Sequence, residues 1–106
     1  MAESSLAPDA LRRWVVDLWR AAGSDAGEAW LTADHLVGAN LAGHDSHGVG
    51  MLPLYFQSLA DGNLDPQARP ETRVDAAPFL IIDGKVVLGQ PNARNAVDRA
   101  ITMAQS

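Results

Sequence analysis

Residues 41–50 read LAGHDSHGVG, from Leu41 to Gly50. Two of the chain's three histidines, His44 and His47, lie in this stretch with Asp45 and Ser46 between them. Gly43 stands on one side, Gly48 and Gly50 on the other. A glycine after a periodic apolar run is the residue on which helices commonly close. The stretch therefore reads as a polar turn that ends one helix and leads into the next element.

Upstream of it, Ala29, Ala33, Leu36, Val37, Asn40 and Leu41 keep a helical period. Ser24 or Asp25 starts that helix, with Glu28 three residues after Asp25 as in a capping box. A first helix precedes it. Pro8 and Asp9 suit a first turn, and Leu11, Trp14, Val15, Leu18 and Trp19 draw one apolar stripe, with Arg12, Arg13 and Asp17 off it. Gly23 stops that helix, and the short Gly23–Ser24 link predicts an αα-hairpin. Residues 1–7 are expected to be a disordered N-terminus, and 8–106 one unit.

Downstream, the pattern predicts a third helix over residues 51–60, with Pro53 in its first turn and Gly62 beyond its end. Residues 63–70 form a connection. Arg73–Ala76 and Phe79–Asp83 read as short strands, Asp83-Gly84-Lys85 as a tight turn, and Val86–Leu88 as a return strand. Gly89 and Pro91 open a last helix striped by Ala93, Ala96, Val97, Ala100, Ile101 and Ala104. The fold class is α+β: a helical hairpin and third helix, a short β segment, then a C-terminal helix. The apolar surface exceeds what one thin hairpin covers, which predicts a part of something larger or a module that needs a partner surface.

Composition narrows the function. The 106 residues are 47 % hydrophobic and 20 % charged, with net charge −5. Those are globular values. Eight scattered basic residues form no stripe, which argues against nucleic acid or an anionic membrane as partner. Cysteine is absent, so disulfides and cysteine-ligated metals are excluded. The apolar runs are too short for a membrane span, and MAESSLAPDA lacks the pattern of a signal peptide. A cytoplasmic domain is the expectation.

Three chemistries compete for the histidine turn. Zinc is one: His44 and His47 with Asp34, His35 and Asp45 nearby supply N and O donors, but a non-helical backbone after Gly43 does not put both rings on one face. Nucleophilic hydrolysis through Ser46 is the second; D-S-H-G is not a nucleophile elbow, and adjacent side chains point apart in regular structure. Proton transfer is the third. Histidine gives and takes protons at neutral pH, a neighbouring hydroxyl can hold its ring, and glycines let a flat ligand approach. Against all three stands a plain capping role for histidines at a helix C-terminus. His35, inside the second helix, reads as a surface or packing residue.

The run from Ala39 to Tyr55, A-x-L-A-G-H-D-S-H-G-V-G-M-L-P-L-Y, resembles the N-terminal region of the non-Rossmann malate/L-lactate dehydrogenase family. That family includes ureidoglycolate dehydrogenase, 2,3-diketogulonate reductase and piperideine-carboxylate reductase. An S-H-G-V tetrapeptide after a helical hairpin is its hallmark. Leu11–Gly23, Asp61–Pro70 and Asp83–Gln90 match further family segments in order, so the resemblance covers about residues 8 to 105.

The resemblance implies an NAD- or NADP-dependent oxidoreductase acting on a 2-oxo acid, a 2-hydroxy acid or a related imine. His47 is then the proton donor or acceptor, and Ser46 belongs to its hydrogen-bond relay. It implies a homodimer in the full-length form, a cofactor held mainly by residues absent from this chain, and an inactive isolated chain. Met51 stands where some relatives carry an arginine that grips the substrate carboxylate. The alternative is a helical interaction module without catalysis; a metal-dependent hydrolase using His44 and His47 ranks behind it.

Overall fold

Helix α1 (Pro8–Ala21) and helix α2 (Ala26–Leu41) form the antiparallel hairpin that the short glycine link predicts. The structure, a computed structural model, describes residues 5–106. The expected disorder of residues 1–7 thus falls outside the described residues over 1–4, while 5–7 are exposed and without regular structure. Pro8 and Asp9 occupy the first turn of α1. Asp25 caps α2: its carboxylate accepts the Glu28 N–H at 2.7 Å. The reciprocal half of the capping box is replaced. The Glu28 carboxylate pairs with Arg69 at 3.4 Å. Burial, reinforced by the charge of Asp25 and partly opposed by Arg69, raises the Glu28 carboxyl above its usual 4.5.

The core sits between the hairpin and α3 (Leu52–Ala60). Val15, Trp19, Ala29, Ala33, Leu36, Leu52 and Leu88 form one buried cluster. The small Ala29 and Ala33 of α2 are buried in it. Trp19 is fully buried and stacks on Phe56, ring centroids 5.0 Å apart and planes 17° apart, with Tyr55 tilted against it at 5.9 Å. Such aromatic pairs add about 0.5–1.5 kcal/mol beyond their buried area. Trp14 departs from the predicted stripe. It is 54 % exposed, while Val15 and Trp19 of the same helix are fully buried.

Two strands follow, β1 (Glu71–Ala76) and β2 (Phe79–Asp83), paired antiparallel from Glu71 opposite Asp83 to Ala76 opposite Phe79. The pairing slips between Thr72 and Val74, leaving Arg73 at a bulge. Strand β1 starts two residues before the Arg73 that the sequence pattern marks. The predicted return strand Val86–Leu88 is absent, and this is a correction. Lys85 takes φ +55°, the Val86 carbonyl accepts the Asp65 N–H at 2.7 Å, and Leu88 is buried in the core. These contacts carry the chain away from β2 instead of doubling it back. Helix α4 (Gly89–Ala104) then crosses over to β1, where Arg99 donates to Thr72 Oγ1 at 2.7 Å and pairs with Asp75 at 3.2 Å.

The molecule is elongated, 54 × 30 × 22 Å. Phe79, Ile81, Val97 and Ile101 are at least half exposed. The surplus of apolar surface expected from the sequence is therefore real; it lies on the β1–β2 hairpin and α4, and at Trp14, Trp30 and Leu54 on the first three helices.

Candidate active site

The histidine turn begins where α2 stops. Gly43 has φ +83°, a conformation that costs a side-chain-bearing residue about 1–2 kcal/mol. The His44 N–H reaches the Ala39 carbonyl at 2.8 Å and the Gly43 N–H the Asn40 carbonyl at 3.0 Å. This is the Schellman closure, and the same pair of bonds closes α1 at Gly23 and α3 at Gly62. A 3-10 turn, Asp45–His47, follows, then a second, Val49–Met51, which runs into α3. The His47 N–H bonds the His44 carbonyl at 2.9 Å, and the Gly48 N–H the Asp45 carbonyl at 3.1 Å.

One side chain ties this turn to the helix. Asn40 accepts the Val49 N–H on Oδ1 and donates from Nδ2 to Asp45 Oδ1, both at 2.9 Å. It lies across Gly48 so closely that a Cβ there would meet its Oδ1. The sequence reading placed Asn40 only in the helical period. The available signal was a lone amide in an otherwise apolar last turn, three residues before the stopping glycine.

Ser46 and His47 are brought together. Ser46 Oγ and His47 Nδ1 share a hydrogen bond of 3.0 Å. The expectation that adjacent side chains point apart holds for helices and strands, but the tight 3-10 turn brings these two to the same side. With Nδ1 engaged, Nε2 is left for a reacting partner. Both residues are exposed, and His47 borders an open groove of about 620 Å³ lined also by Asp34, His35, Gly38, Ala39, Ala42 and His44.

The zinc donors do not converge. Among the described residues no three His, Asp or Glu side chains gather around a point fit for a metal. The His44 and His47 rings stand 6.3 Å apart, edge to face. Asp34 instead accepts from Arg12 Nε at 3.1 Å, and Asp45 takes Asn40. His35 is exposed, as read from the sequence. Met51 packs against the core cluster.

A larger cavity of about 800 Å³ opens between α2, α3 and α4 and gathers Tyr55, Gln90 and Arg94, with Gln90 donating to Tyr55 Oη at 3.2 Å. His47 is not among its lining residues; it lines the smaller groove, bonded to its neighbour Ser46, and that groove is the better candidate site. Gly38, Ala39 and Ala42 leave its floor open to a flat ring. No lysine or arginine lines it to meet a pyrophosphate. The groove thus has room for a small flat group and no cation for a phosphate.

The sequence pattern of the malate/L-lactate dehydrogenase family matches residues 6–106. The chain belongs to that family. It is 40 % identical over 94 residues to hydroxycarboxylate dehydrogenase B of Escherichia coli K12, covering 89 % of this chain and 26 % of that protein. The sulfolactate dehydrogenase structure from Methanocaldococcus jannaschii superposes with a TM-score of 0.90 at 32 % identity, over 95 % of this chain and 29 % of that one. A dehydrogenase structure from Sinorhizobium meliloti gives 0.90 at 32 %, over 97 % and 32 %. This malate/L-lactate dehydrogenase family chain therefore spans roughly a quarter to a third of the length of the relatives it matches. Among the described residues no helix is long and apolar enough to cross a membrane.

Proposed function

We propose that this chain is the proton-transfer portion of an NAD- or NADP-dependent dehydrogenase acting between a 2-oxo acid, or a related imine, and its reduced form. The observation that carries the reading is the Ser46–His47 hydrogen bond, set on a glycine-bounded turn that faces an open groove in a chain of this family.

In the reducing direction His47 acts as an imidazolium. Its Nδ1–H donates to Ser46 Oγ, and its Nε2–H gives the proton to the substrate oxygen or nitrogen. The ring is left neutral with its proton on Nδ1, ready to take a proton back in the oxidising direction. A nicotinamide cofactor, when bound, supplies the hydride to the carbon. No lysine or arginine lines the His47 groove to meet its phosphates, which supports a cofactor held mainly by residues other than those of this groove. A homodimer and an inactive isolated chain belong to the same reading; the exposed apolar faces of α4 and the β-hairpin support a need for further protein contacts.

The test joins residues 1–106 to the remaining three-quarters of hydroxycarboxylate dehydrogenase B from E. coli in place of its own matching segment. Fluorescence titration with NADH and NADPH, and turnover of 2-oxo acids, are then measured. The fusion is expected to bind and reduce while the 106-residue chain does neither. His47→Asn in the fusion is expected to cost about 10²–10⁴-fold in kcat, the usual share of a general acid, with cofactor binding kept. Full activity without His47 would overturn the reading.

A further inference from the structure

We infer that Asn40 is the positioning residue for His47. Its amide brackets the histidine from both sides in sequence. Oδ1 holds the Val49 N–H and Nδ2 holds the Asp45 carboxylate, each at 2.9 Å, so the chain on either side of His47 is anchored to the end of α2. The fit is close: only a glycine at position 48 leaves room for the amide, since a Cβ there would meet it. Both of the amide's functions are used, one as acceptor and one as donor; an ionised carboxylate only accepts, and a hydroxyl carries its donor and acceptor on a single atom, whereas the amide holds them on two. The turn itself is exposed, and His44, Asp45, Ser46 and His47 bury nothing that would hold it. Before Gly48 its remaining ties are the single backbone bonds of 3-10 turns, whose geometry is poorer than that of a helix; after it Val49 and Met51 pack on the core, so Asn40 joins the exposed turn to an anchored end. The ring of His47 meets Ser46 because the backbone between residues 45 and 49 is kept in this shape.

The consequence for catalysis rests on the proton-transfer reading of His47: a histidine displaced by even about 1 Å can lose roughly 10²-fold in rate. The positioning itself does not, and it is tested first on the 106-residue chain by NMR. In Asn40→Ala, exchange of the Val49 amide is expected to speed up roughly three- to tenfold, the loss of one hydrogen bond. The Hα–Hβ couplings of His47 are expected to fall from those of one rotamer to averaged values, while amide protection in α1 and α2 stays at the native level. Asn40→Asp keeps the acceptor for Val49 but sets a carboxylate against Asp45. It is expected to keep Val49 protected and still loosen His47. If His47 keeps its native couplings in Asn40→Ala, or in Asn40→Asp should the alanine variant not fold, the inference is wrong. A lowered melting temperature with His47 unmoved also overturns it, since that marks a purely structural role. In the fusion, Asn40→Ala should lower kcat with KM near native. Should His47→Asn leave the fusion active, the catalytic reading fails while the couplings still decide the role of Asn40.

Discussion

Ser46 Oγ lies 3.0 Å from Nδ1 of His47, a hydrogen bond between neighbours in the chain. The bond exists because Asp45–His47 is a 3-10 turn closed on one side by Gly48 and on the other by the glycine end of α2. Its value lies in orientation. A histidine free to spin about χ1 presents Nε2 to the groove only part of the time.

Removing the hydroxyl should therefore weaken turnover without abolishing it. In the fusion enzyme, Ser46→Ala is expected to lower kcat about 10- to 100-fold, the worth of one hydrogen bond to a charged ring, with KM little changed. Ser46→Thr retains a hydroxyl and should restore most of the rate. Steady-state kinetics of the three proteins check this; equal kcat for serine and alanine would remove Ser46 from the relay.

Gly48→Ala should act through Asn40. The new methyl displaces an amide that makes two hydrogen bonds, to Val49 and Asp45, at a cost of about 1–3 kcal/mol. In Asn40→Ala the space is already open, so adding Gly48→Ala there should cost much less. A double-mutant cycle by chemical denaturation measures the difference, and coupling of about 1 kcal/mol or more is expected for residues in contact. Strict additivity would mean that the two do not meet.

Much of this was legible in the sequence, for local reasons. Gly23, Gly43 and Gly62 mark helix ends because closure by the left-handed conformation is a backbone property of one residue. Asp25 and Pro8 mark helix starts on the same logic. Where the outcome depended on distant contacts, local pattern failed. Val86–Leu88 looks like a strand, yet the Val86 carbonyl bonds Asp65 and Leu88 enters the core, partners that no local pattern names. Trp14 fits the stripe of α1, yet it is left half exposed, since which part of a stripe is covered depends on distant partners. The Ser46–His47 pair was legible as chemistry but not as geometry, since its bond depends on a 3-10 turn. Asn40 was missed because its role appears only when residues 45, 48 and 49 fold back on it.

The core should depend far more on one tryptophan than on another. Trp19 is fully buried and stacked on Phe56, whereas Trp30 is 54 % exposed. Trp19→Ala is expected to cost about 3–5 kcal/mol, a large part of the stability of a domain this size. Trp30→Ala should cost less than about 1 kcal/mol. Trp19→Phe should fall between them, because it keeps an aromatic face for Phe56 and removes an indole N–H that has no partner among the described residues. Urea unfolding followed by circular dichroism ranks the three. Equal losses at Trp19 and Trp30 would show that the core is misassigned.

The end of the β-hairpin should respond to acid at an unusual pH. The Asp83 carboxylate accepts the Lys85 backbone N–H at 2.9 Å and Arg73 Nη2 at 3.1 Å, with the Lys85 ammonium at 3.5 Å. The backbone bond is the leading cause and Arg73 the next; together they lower the carboxyl from its usual 3.8 to about 2. A carboxylate lowered in the fold adds stability that is fully present above the unfolded value of 3.8 and is lost as the pH falls through about 2. The Asp83 side-chain carbon followed by NMR should therefore titrate well below the usual 3.8, and the shift of the Lys85 amide should change with it. Arg73→Gln should raise the midpoint only part of the way to 3.8, because the Lys85 N–H remains. A full return to 3.8 in that variant would assign the shift to the arginine and not to the turn. No change at all would mean that Arg73 and Asp83 are not paired across the bulge.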